Sequence, residues 1–161
     1  MIEICGYNKD LQQDIIQMIL KIQQQEYNLP ITEADQPDLK NIETFYQQNH
    51  GNFWVAICDG EVVGTIALKS IDDGNAIIRK MFVKQEFRGR EIGVSNSLLM
   101  ILMQWAKEND FRNLYLGTTT KFLAAHRFYE KNGFIEIRAD ELPVNFPVME
   151  VDKKFYRYSF Y

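Results

Sequence analysis

The sequence has little of the features that define several specialised protein classes. Two cysteines, Cys5 and Cys58, are too few for a disulfide framework. Both lie in apolar segments, which favours buried free thiols over catalytic ones. No metal-ligand spacing joins the two cysteines and two histidines, so no metal is expected. Only 4 prolines and 9 glycines occur in 161 residues, which excludes collagen-like and low-complexity chains.

Excess positive charge and long apolar runs are also missing. The 18 Lys and Arg residues are outnumbered by 22 Asp and Glu, a formal net charge of −4. Nucleic-acid binding relies on a basic surface, and a membrane span needs about 18 apolar residues, so neither partner is expected. The start, Met1 to Ile4, does not resemble a secretory signal. We therefore expect a cytoplasmic protein with a single domain over residues 1–161.

What is present is a regular alternation of apolar patterns that predicts a mixed α/β fold. Asp59-Gly60 between two apolar runs indicates a hairpin, and Asn8 or Asp10 can cap the first helix. Strands are predicted over residues 2–7, 53–58, 61–70, 76–83, 114–118, 134–138 and 149–158. Helices are predicted over residues 11–22, 39–49, 92–110 and 122–131, in positions that cover both faces of the sheet.

The segment Arg88-Gly89-Arg90-Glu91-Ile92-Gly93-Val94 lies between a predicted strand and a long helix. Glycine lets a ligand approach the backbone, and the first amides of a helix attract an anion. Arg88 and Arg90 add positive charge, so the segment can cradle a phosphate. It lacks the Gly-Lys-Ser/Thr ending of a Walker A loop and the glycine spacing of a dinucleotide fingerprint. A tight turn with solvated arginines is the alternative.

A second segment, residues 118–134, contains the helix that carries a candidate proton donor. Phe122, Ala125, His126 and Tyr129 share one face of that helix by their spacing. The phenol of Tyr129 is a neutral acid near pH 7. Core packing is the structural alternative for Tyr129, and a structural role is equally open for His126.

Read together, the two segments resemble the GNAT family of N-acetyltransferases. That family has a strand, the motif Gln/Arg-x-x-Gly-x-Gly/Ala and a long helix, and later a helix with Ala-x-x-x-Tyr before a Gly-Phe that opens a strand. The matching segments here are Met81-Phe82-Val83, Arg88 to Gly93, Ala125 to Tyr129 and Gly133-Phe134. The predicted order of elements is also similar, so the likeness covers nearly the whole chain.

The resemblance implies a fold and a cofactor. The implied fold is a GNAT-like, mainly antiparallel sheet of six to seven strands, splayed between strands 4 and 5, with helices on both faces. The implied co-substrate is acetyl-CoA, bound by backbone groups in the splay and by loop amides. The cofactor-binding residues expected on this basis are Met81, Phe82, Val83, Arg88, Gly89, Arg90, Glu91, Ile92, Gly93, Val94, Phe122, Ala125 and His126.

The resemblance also implies an activity, the direct transfer of acetyl to a primary amine of a small molecule or peptide. Tyr129 would protonate the leaving thiolate, and a backbone N–H near Val83 would stabilise the oxyanion. The base is left open between His126 and the acidic residues of the first interhelical region. Those residues would suit a cationic acceptor or would form a solvated loop; they are Glu26, Glu33, Asp35 and Asp38.

Two departures from the family pattern leave a second function open. Glu91 stands where the phosphate loop usually has glycine, and we expect its side chain to point to solvent. Phe122 stands where many members have an asparagine that contacts the cofactor. Both departures fit a catalytically weak GNAT-fold module that binds acyl-CoA or regulates a partner. Acyl transfer to charged tRNA is a third hypothesis, against which the acidic composition counts.

Two C-terminal segments are open to two interpretations each. The run Leu142 to Pro147 either walls the acceptor pocket or pins a loop to the core. The aromatic tail, residues 155–161, is either a final strand or the contact of a homodimer.

Overall fold

The computed structural model describes residues 1–72, 74–89 and 91–161. In these residues the predicted order of strands and helices is confirmed. The strands are β1 Ile2–Gly6, β2 Asn52–Cys58, β3 Glu61–Asp72, β4 Asn75–Val83, β5 Asn113–Thr118, β6 Ile135–Ile137 and β7 Lys154–Ser159. The helices are α1 Gln12–Leu20, α2 Ile42–Tyr46, α3 Val94–Glu108 and α4 Leu123–Lys131, and a π-helical turn, Lys21–Glu26, follows α1.

The strands form a seven-stranded sheet in the order β1-β2-β3-β4-β5-β7-β6. Neighbouring strands are antiparallel except β4 and β5, which run parallel. Their pairing covers only Asn75 with Asn113 through Ile77 with Tyr115. The rest of β4 and β5 is separated by a gap, here called the seam, so the predicted splay between strands 4 and 5 is confirmed.

The hairpin between β2 and β3 forms as predicted. Asp59 and Gly60 have positive φ angles of 50° and 79°. Two consecutive left-handed residues are typical of a type I′ turn, whose twist matches that of the flanking strands. The turn fixes the register of the antiparallel strands that lead to β4.

A β-bulge in β4 changes which face its side chains occupy. Thr65 of β3 pairs with Phe82, but Ala67 pairs with Arg79, so β4 holds one extra residue. Lys80 has the positive φ of the bulge, 53°, and its carbonyl accepts a hydrogen bond from Thr65 Oγ1 at 2.7 Å. Because of the extra residue, Arg79 and Phe82 lie on the same face of the sheet, although three positions separate them.

Helices cover both faces of the sheet, and each face has its own apolar core. One core joins α3 and α4 to the sheet and includes Leu98, Leu102, Tyr129 and Tyr156. The other joins α1 and α2 to the opposite face through residues such as Ile15, Ile19, Ile42 and Phe53. A smaller cluster on this second side holds Ile77, Tyr115 and Phe146.

The second predicted helix is shorter than expected. α2 ends at Tyr46 rather than near residue 49, because Gln47, with a ψ of 45°, already leaves the helical conformation. Asn49 and His50 then adopt left-handed conformations that no helix continues. Gly51 is required at this exit, since a Cβ there would lie 2.3 Å from the carbonyl oxygen of Tyr46.

The last strand also starts later than predicted, at Lys154, and it pairs with β5 and β6. Most of the aromatic tail therefore belongs to a strand inside the sheet. Cys5 and Cys58 are free thiols but only partly buried, which corrects the expectation of full burial. No helix among the described residues is both long and apolar enough to cross a bilayer.

Candidate active site at the seam

Two cavities meet at the seam between β4 and β5. The larger, about 650 Å³, lies between the β4 and β5 strands, the loop after the π-helical turn and the loop before β7. The smaller, about 280 Å³, lies between the end of β4, the start of α3 and α4. The residues that line both cavities are Met81, Phe82, Phe122, Ala125 and Tyr129.

The smaller cavity has a floor of glycine backbone. Gly89 and Gly93 both line it, with positive φ angles of 113° and 75°. No atom lies within 4 Å of a Cβ built on Gly89, so a ligand can come close to the backbone there. Gly93 precedes the first turn of α3. Ser95 and Asn96, in that first turn, line the same cavity. Free helix amides beside an open glycine backbone suit an anionic group such as a pyrophosphate.

The strand that borders this cavity offers further backbone groups. β4 pairs with β3 on one side up to Val83, but on the β5 side the recorded pairing ends at Ile77. The edge of β4 from Ile78 to Val83 therefore faces the seam. Backbone donors and acceptors in such a position need partners, and an amide-containing ligand arm can supply them.

The side chain of Arg88 is held beside the smaller cavity by an ion pair with Glu26, here called the latch, and by a backbone hydrogen bond. Its guanidinium forms a two-point ion pair with Glu26, with Nη2 2.7 Å from Oε1, and its Nε donates to the carbonyl of Val83 at 2.8 Å. It also lies over the ring of Tyr27, 5.9 Å from the centroid. The pKa of Arg88 is raised, chiefly by its hydrogen bond to Glu26. In this conformation Arg88 closes the cavity rather than pointing at a phosphate.

The remaining loop residues differ in their exposure. Glu91 is exposed, as expected, and Ile92 is 44% exposed, so neither side chain lines a cavity. Val94 is buried in the core beneath α3. Arg90 lies outside the described residues. Any contact that these residues make with a cofactor therefore remains a prediction.

An aromatic pair that sequence reasoning missed walls the smaller cavity. Tyr27 and Phe122 meet edge to face, with their ring centroids 4.5 Å apart. Phe122, at the position where many GNAT members have asparagine, thus joins the π-helical turn to the start of α4. Tyr27 gave no motif signal, because it reaches this position only through the fold.

Tyr129 lies where the two cavities join. It is 4% exposed and is held among the rings of Phe128, Phe134 and Tyr156. Its hydroxyl has no hydrogen-bond partner among the described residues. The oxygen is nevertheless not fully shielded from solvent, because those residues contain no fully buried side-chain nitrogen or oxygen that lacks a partner. Burial raises the pKa of Tyr129 above its ordinary value. The phenol is therefore neutral and able to donate a proton.

His126, predicted on the same helix face, lies outside both cavities. It is buried, and its Nε2 lies 2.9 Å from the carbonyl oxygen of Thr119. The imidazole thus ties α4 to the loop after β5. Ala125 lines both cavities, as its position beside the seam requires.

The larger cavity has polar walls that the sequence patterns did not indicate. Lys80 reaches from the bulge to Gln36 Oε1 at 2.7 Å and Asp38 Oδ2 at 3.4 Å. Burial lowers its pKa to about 8, although Asp38 opposes that shift. Asp38 also accepts a 2.5 Å hydrogen bond from the buried hydroxyl of Tyr46. The result is a connected, buried polar network beside the seam.

Arg79 and Asp152 add one charge of each sign to this cavity. The Arg79 guanidinium stands over the ring of Phe45, 5.6 Å from its centroid, and has no ion-pair partner among the described residues. Asp152 packs against the backbone of Gly117 and accepts a hydrogen bond from Met149 N at 3.1 Å. Burial raises the pKa of Asp152, and the nearby positive charges limit that rise.

The four acidic residues considered for a cationic acceptor are already engaged. Glu26 pairs with Arg88, and Asp38 pairs with Lys80. Glu33 pairs with Lys40, and Asp35 accepts hydrogen bonds from the backbone and hydroxyl of Thr32. Glu26, Glu33 and Asp38 therefore have cationic partners, whereas Asp35 has only neutral partners among the described residues and keeps its negative charge on the wall of the larger cavity. A role of these residues toward a cationic acceptor stays a prediction. Phe146 packs in the core, so the loop is pinned there, and Phe146 and Pro147 also line the larger cavity. The role of this loop as the wall of an acceptor pocket stays a prediction.

A comparison with known proteins gives the class to which this fold and site belong. The family model described as "Acetyltransferase (GNAT) family" matches residues 16–134. The chain therefore belongs to the GNAT acetyltransferase family. No group of three or more potential metal-ligating side chains is found in the described parts of the chain.

Individual relatives resemble the chain to different extents. An acetyltransferase of the GNAT family from Staphylococcus aureus Mu50 is 39% identical, with a TM-score of 0.96 over 100% of both chains. N-acetylaspartate synthetase of Danio rerio is 37% identical over 65% of this chain, which spans only 37% of that relative's length. The PaiA N-acetyltransferase of Thermoplasma acidophilum, in complex with coenzyme A, is 17% identical over 99% of both chains, with a TM-score of 0.75, and shows the fold alone.

Proposed function

We propose that this chain transfers the acetyl group of acetyl-CoA directly to a primary amine of a small molecule or peptide, with Tyr129 protonating the leaving thiolate. The observation that carries the proposal is the position of Tyr129, whose buried ring lines both cavities. One cavity fits the cofactor and the other fits an acceptor, so a proton donor at their junction can reach the bond that breaks.

The smaller cavity fits coenzyme A on structural grounds. The glycine backbone at Gly89 and Gly93 and the start of α3 suit the pyrophosphate. The open edge of β4 along Phe82 and Val83 suits the amides of the pantetheine arm. The bound coenzyme A in the structure of the Thermoplasma acidophilum relative supports this assignment.

When bound, acetyl-CoA supplies an activated thioester carbonyl. The protein then has three tasks at the seam. It holds the two reactants together, which removes much of the entropic barrier. It offers a backbone N–H near Val83 to the developing oxyanion. It keeps a protonated phenol at Tyr129 for the thiolate.

Both departures from the family pattern are compatible with this function. Glu91 is exposed, so its carboxylate is solvated rather than aimed into the smaller cavity. Phe122 packs on Tyr27 and so forms part of the wall. The name of the Danio rerio relative, N-acetylaspartate synthetase, supports an amine acceptor.

Calorimetry and a thiol-release assay on the purified chain test the proposal. We expect acetyl-CoA to bind, adenosine to bind much more weakly, and thiol release to depend on an added amine. Binding without any amine-dependent thiol release would instead support the acyl-CoA-binding module. No detectable binding would reject both functions.

A further inference from the structure

Arg79, on the wall of the larger cavity, is a cation without a directly paired anion in the described part of the chain. Its guanidinium stands over the ring of Phe45, and it has no ion-pair partner among the described residues. Lys69 lies on the same ring of Phe45, 4.2 Å from its centroid, and its pKa is lowered by burial and, to a lesser degree, by the charge of Arg79. Lys80 is the next cation along β4. The cationic neighbours of Arg79 therefore add to the positive potential at its guanidinium. The carboxylate of Asp152, which forms no ion pair with Arg79, opposes that potential across the cavity.

The other polar groups nearby are already satisfied. Lys80 is bound by Asp38 and Gln36, and Gln36 also exchanges hydrogen bonds with Gln23. Asp152 is held by the backbone of Met149. Two further carboxylates on the cavity wall, Asp35 and Glu150, are exposed at its rim, where water screens them. Arg79, a partly buried cation with no anion in direct contact among the described residues, therefore favours a ligand that carries one.

Resting on the proposed function, we propose that the acceptor amine carries a carboxylate, as an amino acid does, and that this carboxylate binds the guanidinium of Arg79. A guanidinium can bind a carboxylate through two parallel hydrogen bonds, which sets the orientation of the ligand as well as its charge. Lys80, fixed by Asp38, provides a second positive charge beside the same site.

The position of Arg79 relative to the seam fits a short ligand. Arg79 and Met81 lie on either side of the bulge at Lys80, so they are closer than the span of about 6–7 Å that two residues have in a regular extended strand. Met81 lines both cavities, so this distance leads from the proposed carboxylate site to the junction at Tyr129. The amine can then point at the seam, while Asp152 on the opposite wall offers negative charge to its ammonium form.

Matched acceptor pairs test the inference in the wild-type protein. Thiol release from acetyl-CoA is measured with L-alanine, L-aspartate, L-alaninamide and spermidine. We expect kcat/KM for the two carboxylate-bearing acceptors to exceed that for L-alaninamide and spermidine at least about tenfold, which corresponds to one charge-assisted contact. Equal or better acetylation of L-alaninamide or spermidine would overturn the inference and leave the proposed function intact.

Variants of Arg79 provide the second test. Arg79→Gln is expected to raise KM for the preferred amino acid about 10- to 100-fold, while the rate with L-alaninamide and the affinity for acetyl-CoA stay within about twofold. Arg79→Lys keeps the charge but loses the two-point geometry and is expected to fall between the two. Lys107→Gln, which removes a charge from the exposed end of α3, is the matched control.

The outcomes separate the two proposals. An equal loss with amino acids and with L-alaninamide in Arg79→Gln would assign Arg79 a structural role and overturn the inference alone. Absence of acetyl-CoA binding, or of thiol release with all four amines, would reject the proposed function and the inference with it.

Discussion

The two cavities of this protein are built from different parts of the chain. The smaller is formed mainly by backbone, with glycines at a loop, the start of α3 and the free edge of β4. The larger has a mostly apolar wall that also holds charged and amide side chains from four separate segments, including Gln36, Arg79, Lys80 and Asp152. Backbone recognition tolerates substitution at most positions, whereas side-chain recognition changes with a single residue. A common cofactor and a variable acceptor are expected from such a division.

Tyr129 is the test with the largest expected effect, because it belongs to both cavities. Tyr129→Phe is expected to lower kcat about 10- to 1,000-fold, since only proton donation is lost. The affinity for acetyl-CoA and the free energy of unfolding are expected to change little, because the hydroxyl has no hydrogen-bond partner among the described residues. Tyr158→Phe, which removes a hydroxyl from β7 outside both cavities, is the control. An unchanged kcat would remove Tyr129 from the mechanism.

A substitution of Gly89 tests whether the smaller cavity binds acetyl-CoA through backbone groups. Gly89→Val places a branched side chain at a φ of 113°, where only glycine is unstrained. We expect the Kd for acetyl-CoA to rise about 10- to 100-fold, because the loop must change shape. Gly60→Ala in the β2–β3 hairpin has a similar positive φ of 79° and is the control for strain alone. Equal effects of both variants on cofactor binding would contradict a local role for Gly89.

The pH dependence of the free energy of unfolding tests whether the side chain of Lys80 is buried beside the larger cavity. Its pKa is about 8 in the folded protein against an ordinary 10.5, so between those values the unfolded chain binds more protons. Stability contributed by this group therefore rises with pH. From about pH 7 to 9.5 the free energy of unfolding of the wild type should gain about 2 kcal/mol relative to Lys80→Met. Chemical denaturation at several pH values measures this difference.

The control for Lys80 is Lys107→Met, at an exposed position. That substitution should leave the pH dependence unchanged. A constant difference between wild type and Lys80→Met across the alkaline range would show that Lys80 titrates alike in the folded and unfolded states.

The latch between Arg88 and Glu26 is expected to give the smallest effect. Glu26→Gln frees Arg88 to turn to the pyrophosphate, and we expect the Kd for acetyl-CoA to fall about two- to fivefold, less so at high salt. Glu43→Gln, on the exposed side of α2, is the control. A weaker affinity would mean that the ion pair organises the smaller cavity rather than competing for Arg88.

The parts of the site that depend on local sequence could be predicted. The glycine loop and Tyr129 lie within short segments whose neighbours along the chain are also their neighbours in space. The hairpin at Asp59-Gly60 follows from the same kind of local rule, because its left-handed residues specify the turn.

The rest depends on contacts between distant residues. Glu26 and Arg88 are separated by 62 positions, and Lys80 and Gln36 by 44. No periodicity reveals such partners. The acidic residues were therefore interpreted as free, although the fold pairs Glu26 and Asp38 with cations. The end of α2 was missed for a different reason. Asn49 and His50 are residue types that favour positive φ and indicate a stop near residue 49, whereas the helix already ends at Tyr46.

The bulge at Lys80 affects how the larger cavity can change during evolution. With the extra residue, Arg79, Lys80 and Phe82 all reach the α1–α2 side of the sheet. Deleting one residue there would restore strict alternation and send part of this set to the opposite face in a single step. Under the proposal that Arg79 binds the acceptor, acceptor preference depends on the register of this one strand. An insertion or deletion of a single codon could alter it more than most substitutions.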